Sequence, residues 1–359
     1  MDTKVVKYIE LFEYFEKEIL DGKIIPGEKL PTEQEIVNKF SVSRHTVRQA
    51  INELEKKGYI IKEKSRGAFC CDITSKPNKS NLVVVMITYI TDYIFPYIIK
   101  GIEEELSKEG YNILLLSTNN QKEREAEHLK TIMNYNVVGA IIEPTASATK
   151  NTNIEYYKKM NEKQIPYIMI NAEYSELETS SIVVNDEKGG YYLCKHLLDL
   201  GHKRIAGIFK EDDAQGIKRK KGYLKALSEE NIEVDNNIIG MYKNFEQEFY
   251  PYAFAKNILS RKDRPTAIVC YNDNIAMQVI KAARELGLNI PEDISVVGYD
   301  NDLTIASALD FGLTTTQHPK ENMGRLAATS LLNIINNKES RVNYNYEPEL
   351  IIKDSTKRI

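Results

Sequence analysis

The sequence predicts a two-part α/β protein: a small helical head closed by a β-hairpin, and a larger body of alternating strands and helices. Three observations predict it. At 359 residues the chain exceeds what one hydrophobic core usually organises, so two or three domains of about 100–150 residues are expected. The N-terminal part shows three segments of helical period followed by two short apolar strands. Beyond a turn-rich stretch, strand-length apolar runs alternate with amphipathic helices, the pattern of a parallel sheet with crossover connections. The expected boundaries are a head over 1–71, a linker over 72–81 and a body over 82–359.

In the head, Ile9, Phe12, Phe15, Ile19 and Leu20 recur at helical spacing, and Asp21-Gly22 ends that helix. Pro26-Gly27 makes a turn. A second helix begins after Thr32, an N-cap with Glu35 three residues on, and runs to about Phe40. The third starts at Ser43. Its apolar members Val47, Ala50, Ile51 and Leu54 form one stripe, which leaves Arg44, His45, Arg48, Gln49 and Asn52 on other faces until Gly58 stops the helix. Tyr59–Lys62 and Ala68–Cys71 read as strands joined by the basic tip Glu63-Lys64-Ser65-Arg66-Gly67. Three helices and a hairpin make a winged helix-turn-helix.

Residues 72–81 are polar and turn-rich around Pro77, as linkers are. In the body, Leu82–Thr88, Asn112–Ser117, Val137–Ile142 and Pro166–Asn171 form a first series of strands. Arg204–Phe209, Ile238–Met241, Thr266–Tyr271 and Ile294–Gly298 form a second. Helices are expected near Pro96–Glu109, Lys122–Tyr135, Lys188–Leu200, Lys218–Glu229, Phe249–Ser260, Asn274–Leu286 and Lys320–Asn336, several closed by glycine. Two similar α/β halves result.

Composition narrows the function classes. Hydrophobic residues are 42% and charged residues 28%, with no apolar run approaching the roughly 20 residues that span a bilayer. The amphipathic start carries no signal-peptide pattern, so a cytoplasmic protein is expected. Cys70, Cys71, Cys194 and Cys270 are too scattered for a disulfide framework, and reduced thiols are the simplest reading. The five histidines show no metal-binding spacing, so neither a metal nor any other cofactor is expected. No phosphate-binding glycine loop follows a strand, Gly189-Gly190 lacks such a frame, and no nucleophile–base pair stands out. A sugar-processing enzyme fused to a DNA-binding head is the rival from another class, and it has little support.

Net charge is −4, yet its distribution matters more than its sum. Five Lys/Arg stand against nine Asp/Glu over Met1–Asn38, and eight against three over Lys39–Arg66. A basic surface helix alone is usually just solvated, and it is the winged-helix context that makes double-stranded DNA the expected partner of this stretch. The run from Ser43 to Arg48 packs a helix start with donors, where recognition helices meet base edges. Arg44 is the candidate for bidentate contact to guanine. Thr46, Arg48 and Gln49 face the same groove, Ser65, Arg66 and Gly67 bring the wing to the backbone or minor groove, and Lys4 and Lys7 add phosphate contacts.

Pro26-Gly27, Leu30-Pro31-Thr32-Glu33, Val42-Ser43-Arg44, Thr46-Val47-Arg48, Leu54, Gly58-Tyr59-Ile60 and Arg66-Gly67 resemble the GntR winged-helix pattern in order and spacing. The resemblance implies that Arg44, Thr46 and Arg48 touch the operator. It also implies that Thr32 and Glu33 start the preceding helix, with Thr32 near a phosphate. His45 falls at a variable position.

Ligands of open α/β sheets bind at the carboxyl ends of strands. Tyr89, Asp92 and Tyr93 follow the first strand, Glu143 the third, Asn171 the fourth, Asn272 the seventh and Asp300 the eighth, while Arg219 is expected to open a crossover helix. Planar bidentate partners of this kind, with aromatic faces, suit a small polyol. Asn171, Asn272 and Asp300 equally suit caps or turns when taken singly.

Asn185-Asp186, Leu200-Gly201-His202-Lys203-Arg204-Ile205, Arg219-Lys220-Lys221-Gly222-Tyr223, Tyr271-Asn272-Asp273, the run Ile290–Asp300 and Leu313-Thr314-Thr315 resemble the LacI/GalR effector domain. That resemblance implies a periplasmic-binding-protein-like fold, a ligand between two subdomains and a homodimer. Arg219, Asn272 and Asp300 fall on its ligand positions, Asn171 falls where aspartate is more usual, and His318 is a weaker ligand candidate. Gly201-His202 reads as a structural turn.

A GntR-type head on a LacI-type body resembles the arabinose-repressor family along essentially the whole chain. Thr88–Pro96, Ser117–Asn120, Glu143-Pro144-Thr145 and Glu347–Ile352 carry that match. It implies L-arabinose as inducer, whereas the residue chemistry alone reaches only a small polyol.

Overall fold

A computed structural model describes residues 7–63, 66–71, 81–91 and 94–359, save the side chain of Ala306. Two units separate, Met1–Lys79 and Ser80–Ile359. In the first, α1 (Lys7–Leu20), α2 (Glu33–Phe40) and α3 (Arg44–Lys56) precede a hairpin of β1 (Ile60–Glu63) and β2 (Gly67–Cys70). The antiparallel register pairs Ile60 with Cys70 and Glu63 with Gly67. Both strands are shifted by one residue from the sequence expectation. Leu11, Phe12, Phe15 and Ile19 of α1 pack with Ile36 of α2 and with Val47, Ala50 and Leu54 of α3. Each large apolar side chain buried this way is worth about 1.5–3 kcal/mol, and together they fix the pitch of α3 on its neighbours. Thr32 caps α2 in a reciprocal box with Glu35, as its spacing predicts.

The second unit contains two parallel sheets. β3 (Leu82–Ile87), α4 (Phe95–Lys108), β4 (Asn112–Ser117), α5 (Lys122–Asn134), β5 (Gly139–Ile142), α6 (Ile154–Glu162), β6 (Tyr167–Asn171) and β7 (Ser180–Val184) build the first half. α7 (Asp186–Asp199), β8 (Ile205–Lys210), α8 (Ala214–Glu229), β9 (Ile239–Tyr242), α9 (Tyr250–Leu259), β10 (Ala267–Cys270), α10 (Asp273–Glu285), β11 (Ser295–Val297), α11 (Leu303–Ala308) and β12 (Thr315–Gln317) build the second. The chain closes with α12 (Lys320–Ile335), β13 (Asn343–Tyr346) and β14 (Glu349–Ile351). Strand orders are β13-β7-β6-β5-β3-β4 and β11-β10-β8-β9.

Burial on both faces explains the unbroken apolar runs: Val83, Val84, Val85, Met86 and Ile87 of β3 are all shut from solvent. The chain passes between the halves three times. β7 in the first sheet leads to α7, which packs on α8. β12, bridged to the second half at Asp300, leads to α12, which packs on α4. β13 returns to the first sheet beside β7, and β14 pairs antiparallel with β12.

Two expectations are corrected. The helix that carries Arg219 starts at Ala214, capped by Asp213, so Arg219 lies in its second turn and does not open it. The first sheet has six strands, because Ser180–Val184 and Asn343–Tyr346 join the four that were expected. Gly189-Gly190 has a packing role: a Cβ on Gly190 would collide with the backbone of Arg219, which lets α7 and α8 touch along their axes. Gly201, at φ 98°, turns the chain into His202, whose ring bonds Thr266 Oγ1 at 2.9 Å and the Lys357 carbonyl at 3.1 Å. The four cysteines are free thiols, and Cys70 is more buried than Cys71. The expected linker lies outside the described residues apart from Asn81. Among the described residues no helix is long and apolar enough to cross a membrane.

Candidate ligand cleft and nucleic-acid interface

On the head, Ser43 caps α3 through the Thr46 backbone N–H at 3.1 Å, and its hydroxyl lies 2.8 Å from Thr46 Oγ1. That cap sets the first turn, from which Arg44 and His45 project into solvent while Thr46 is half-buried. Arg44 Nη2 donates to Gln34 Oε1 at 2.6 Å. Arg48 Nε donates to both carboxylate oxygens of Glu33, at 2.9 and 3.2 Å. Glu33 therefore holds Arg48 against α2. Lys7 and Gln49 are exposed. Arg66 pairs with Glu63 at 2.5 Å and stacks its guanidinium 5.4 Å from the Phe69 ring centre, and Gly67 takes φ 116° at the tip of the wing. Lys4 and Ser65 lie outside the described residues.

In the body, a cavity of about 70 Å³ opens between the carboxyl ends of the two parallel sheets. By the usual volume needed per buried water it has room for roughly five waters, the scale of a small polar ligand. Tyr89, Glu143, Asn171, Arg219, Asn272, Asp300 and His318 all line it. Asp92 and Tyr93, expected with them, lie outside the described residues. The open-sheet rule thus gathers residues from six separate strand ends into one place.

Glu143 Oε2 accepts from the Thr88 N–H at 2.9 Å and the Thr88 hydroxyl at 2.5 Å, and Oε1 accepts from Asn171 Nδ2 at 3.0 Å. Burial pushes its carboxyl up to about 7 despite these donors. Asn171 Oδ1 lies 3.2 Å from His318 Nε2. An aspartate at 171 has no N–H to offer Glu143, and the residue's φ of 63° is one that asparagine tolerates. Burial lowers His318 to about 4, so the imidazole is neutral near pH 7. Asn272 caps α10 through the Ile275 N–H at 3.0 Å and also lines the cavity.

On the opposite wall Arg219 is buried. Its Nε donates to Asp186 Oδ1 at 2.8 Å and its Nη1 to the Tyr271 carbonyl at 2.7 Å, while Nη2 lies 3.7 Å from Asp300 Oδ1. The Tyr299 ring covers the guanidinium, centre to Cζ 3.5 Å. Sequence reasoning missed Lys210, Asp213 and Gln215 as cavity residues, and it quoted Asp186 and Tyr271 only inside motifs. Burial disfavours the Lys210 ammonium, but Asp213 and Asp212 beside it hold its pKa above the ordinary lysine value.

Hydrogen bonds reach from one half to the other across the cleft. Tyr89 Oη donates to Asn244 Oδ1 at 2.6 Å, the Ala214 N–H to Ser147 Oγ at 2.9 Å, and the Ala148 N–H to the Asp212 carbonyl at 3.3 Å.

Two family descriptions match the chain: "Bacterial regulatory proteins, gntR family" over residues 7–70 and "Periplasmic binding protein-like domain" over residues 194–356. The chain is 43% identical over 358 residues to the arabinose metabolism transcriptional repressor of Geobacillus stearothermophilus, covering 98% of each. It is 40% identical over 362 residues to the protein of that name from Halalkalibacterium halodurans, covering 98% of this chain and 96% of the other. Among solved structures, a LacI family transcriptional regulator from Enterococcus faecium with bound ribose superposes with a TM-score of 0.66 at 25% identity, over 77% of this chain and 99% of that one.

Proposed function

This chain belongs to the family of arabinose metabolism transcriptional repressors, and from that premise we propose that it represses arabinose-utilisation genes and leaves operator DNA on binding L-arabinose. One observation carries the reading beyond kinship: a buried polar cavity closes between two sheets in the same polypeptide that presents Arg44, His45 and Arg48 on a capped recognition helix.

The proposed roles follow from chemistry. Arg44 reads a base edge, Thr46, Arg48 and Gln49 support it, and Lys4, Lys7, Thr32 and the wing at Ser65–Gly67 hold phosphates or the minor groove. Glu33 positions Arg48. In the cleft, Arg219 and Asp300 face ligand hydroxyls from one half, and Glu143, Asn171 and His318 face them from the other. Tyr89 lines the cleft, and Asp92 and Tyr93 are further proposed ligand contacts. Binding across both halves favours closure, which changes the spacing of two heads in a homodimer. A coupling of about 1–3 kcal/mol weakens operator binding roughly 5- to 150-fold. The repressor acts in the cytoplasm, and we ascribe no catalytic step to it.

Calorimetric titration of the full chain with a panel of pentoses and hexoses tests the effector assignment. L-arabinose is expected to bind most tightly, and a panel in which it shows no heat while another sugar does would reassign the ligand.

A further inference from the structure

The two cations that line the cleft share an unusual condition: their charges are compensated while part of their hydrogen-bonding capacity is unspent. Arg219 faces Asp186 at 2.8 Å and Asp300 at 3.7 Å, and the second distance is longer than a hydrogen bond. Lys210 is only 6% exposed, yet its nearest carboxylate oxygens, Asp213 Oδ2 and Asp212 Oδ1, stand 3.5 and 3.9 Å away. The Tyr271 hydroxyl already donates to that same Asp213 oxygen at 2.6 Å. An ammonium has three donors, and the long contact to Asp213 engages one of them, which leaves capacity for a ligand oxygen.

Among the described residues no other lysine or arginine lines the cavity, whereas four carboxylates do, on Glu143, Asp186, Asp213 and Asp300. A neutral hydroxyl satisfies this arrangement, since it accepts from Lys210 or Arg219 Nη2 and donates to a carboxylate. A phosphate or carboxylate does not, because each cation is already matched and the incoming charge meets acids in a buried site.

We infer that Lys210 is a direct ligand contact and that the cleft admits neutral polyols while rejecting their phosphorylated and carboxylated relatives. This rests on the sugar-binding reading above and names the chemical class the site selects. Gene control of this kind reads the free sugar and is blind to the anionic products of sugar phosphorylation or oxidation.

Calorimetry on the full chain tests it with L-arabinose, L-arabinose 1-phosphate and L-arabinonate. Both anions are expected to bind about 100-fold more weakly or worse. Lys210→Met is expected to weaken L-arabinose binding by about 10-fold or more, the effect of one lost charge-assisted hydrogen bond. The charge-balanced pair Lys210→Met with Asp213→Asn is expected to show the same loss with an intact cooperative melt. Asp213→Asn alone leaves Lys210 less compensated and is expected to narrow the gap between L-arabinonate and L-arabinose. Anions that bind as well as the sugar, or a double variant with parental sugar affinity, would overturn the inference while leaving the arabinose reading in place. Binding of a different neutral pentose, with anions still rejected, would remove arabinose and keep the inference. No binding of any neutral sugar would remove both.

Discussion

Arg219 Nε donates to Asp186 Oδ1 at 2.8 Å, and both side chains are buried. Asp186 is held there as the first residue of α7, and Gly190 on the same helix lets the α8 backbone approach at Arg219. The pair therefore depends on the α7–α8 contact, which also forms one wall of the cleft.

Removing the guanidinium leaves a buried carboxylate unpaired, at a cost of about 3–5 kcal/mol. Arg219→Ala is expected to lower the melting temperature of the body, abolish calorimetric binding of L-arabinose and leave operator binding without sugar intact. A normal sugar response in this variant would take Arg219 out of the site.

Arg44 and Arg48 reach solvent while bonded to Gln34 and Glu33 on α2. Exposed pairs of this kind are worth about 0–1 kcal/mol, so DNA displaces them readily. Arg44→Ala is expected to cost about 1–3 kcal/mol of operator binding and to relax preference at one base pair in a competition assay. Glu33→Gln, which releases Arg48, is expected to raise affinity for unrelated DNA and steepen its salt dependence. Unaltered footprints in Arg44→Ala would show that α3 is not the reading element.

Stability should depend on pH through the cleft. Glu143 titrates near 7 in the folded chain, raised by burial from an ordinary value of 4.5, so the folded state binds its proton more tightly than the unfolded one. Its contribution is complete below about pH 4.5 and is lost as pH rises through 7, a change of about 3 kcal/mol. Asp273, raised to about 7 by burial, acts in the same direction. His318, lowered to about 4, acts oppositely, and its contribution is lost as pH falls from 6.5 toward 4. Glu143→Gln is expected to flatten the decline in denaturant stability between pH 5 and 7, and a variant with the parental slope would contradict this.

Tyr89 and Asn244 come from opposite halves and are joined by a 2.6 Å bond. Tyr89→Phe removes one hydrogen bond, worth about 1 kcal/mol. Its sugar affinity is expected to fall about 5-fold in a calorimetric titration, with operator affinity in the absence of sugar changed far less. Parental sugar affinity would mean that the bond does not contribute to closure.

The head was legible because its signals are local. Thr32 and Ser43 cap the helices whose starts their spacing predicts, and the stripe from Val47 to Leu54 can face only one way. The strand ends that form the cleft were legible because unbroken apolar runs mark parallel strands and ligands bind beyond their carboxyl ends. Lys210 was not legible. A lysine at the end of Ile-Ala-Gly-Ile-Phe reads as an exit to solvent, whereas the structure buries it beside Asp212 and Asp213 in the cleft, a setting no strand pattern encodes. The start of α8 was hidden by Gly216, which reads as a breaker. In the structure it is required because a Cβ there would strike the Lys210 carbonyl. β13, Asn-Tyr-Asn-Tyr, has no apolar run at all and is a strand only through its pairing with β7. Such non-local partners are what propensity cannot supply.

The most direct test of the account is fluorescence anisotropy of a labelled operator duplex bound by the full chain, followed as L-arabinose is added. A fall toward the value of free DNA is expected, with operator affinity reduced roughly 5- to 150-fold at saturating sugar. Anisotropy that stays at the bound value, with calorimetry showing the cleft filled, would contradict the coupling between the two domains.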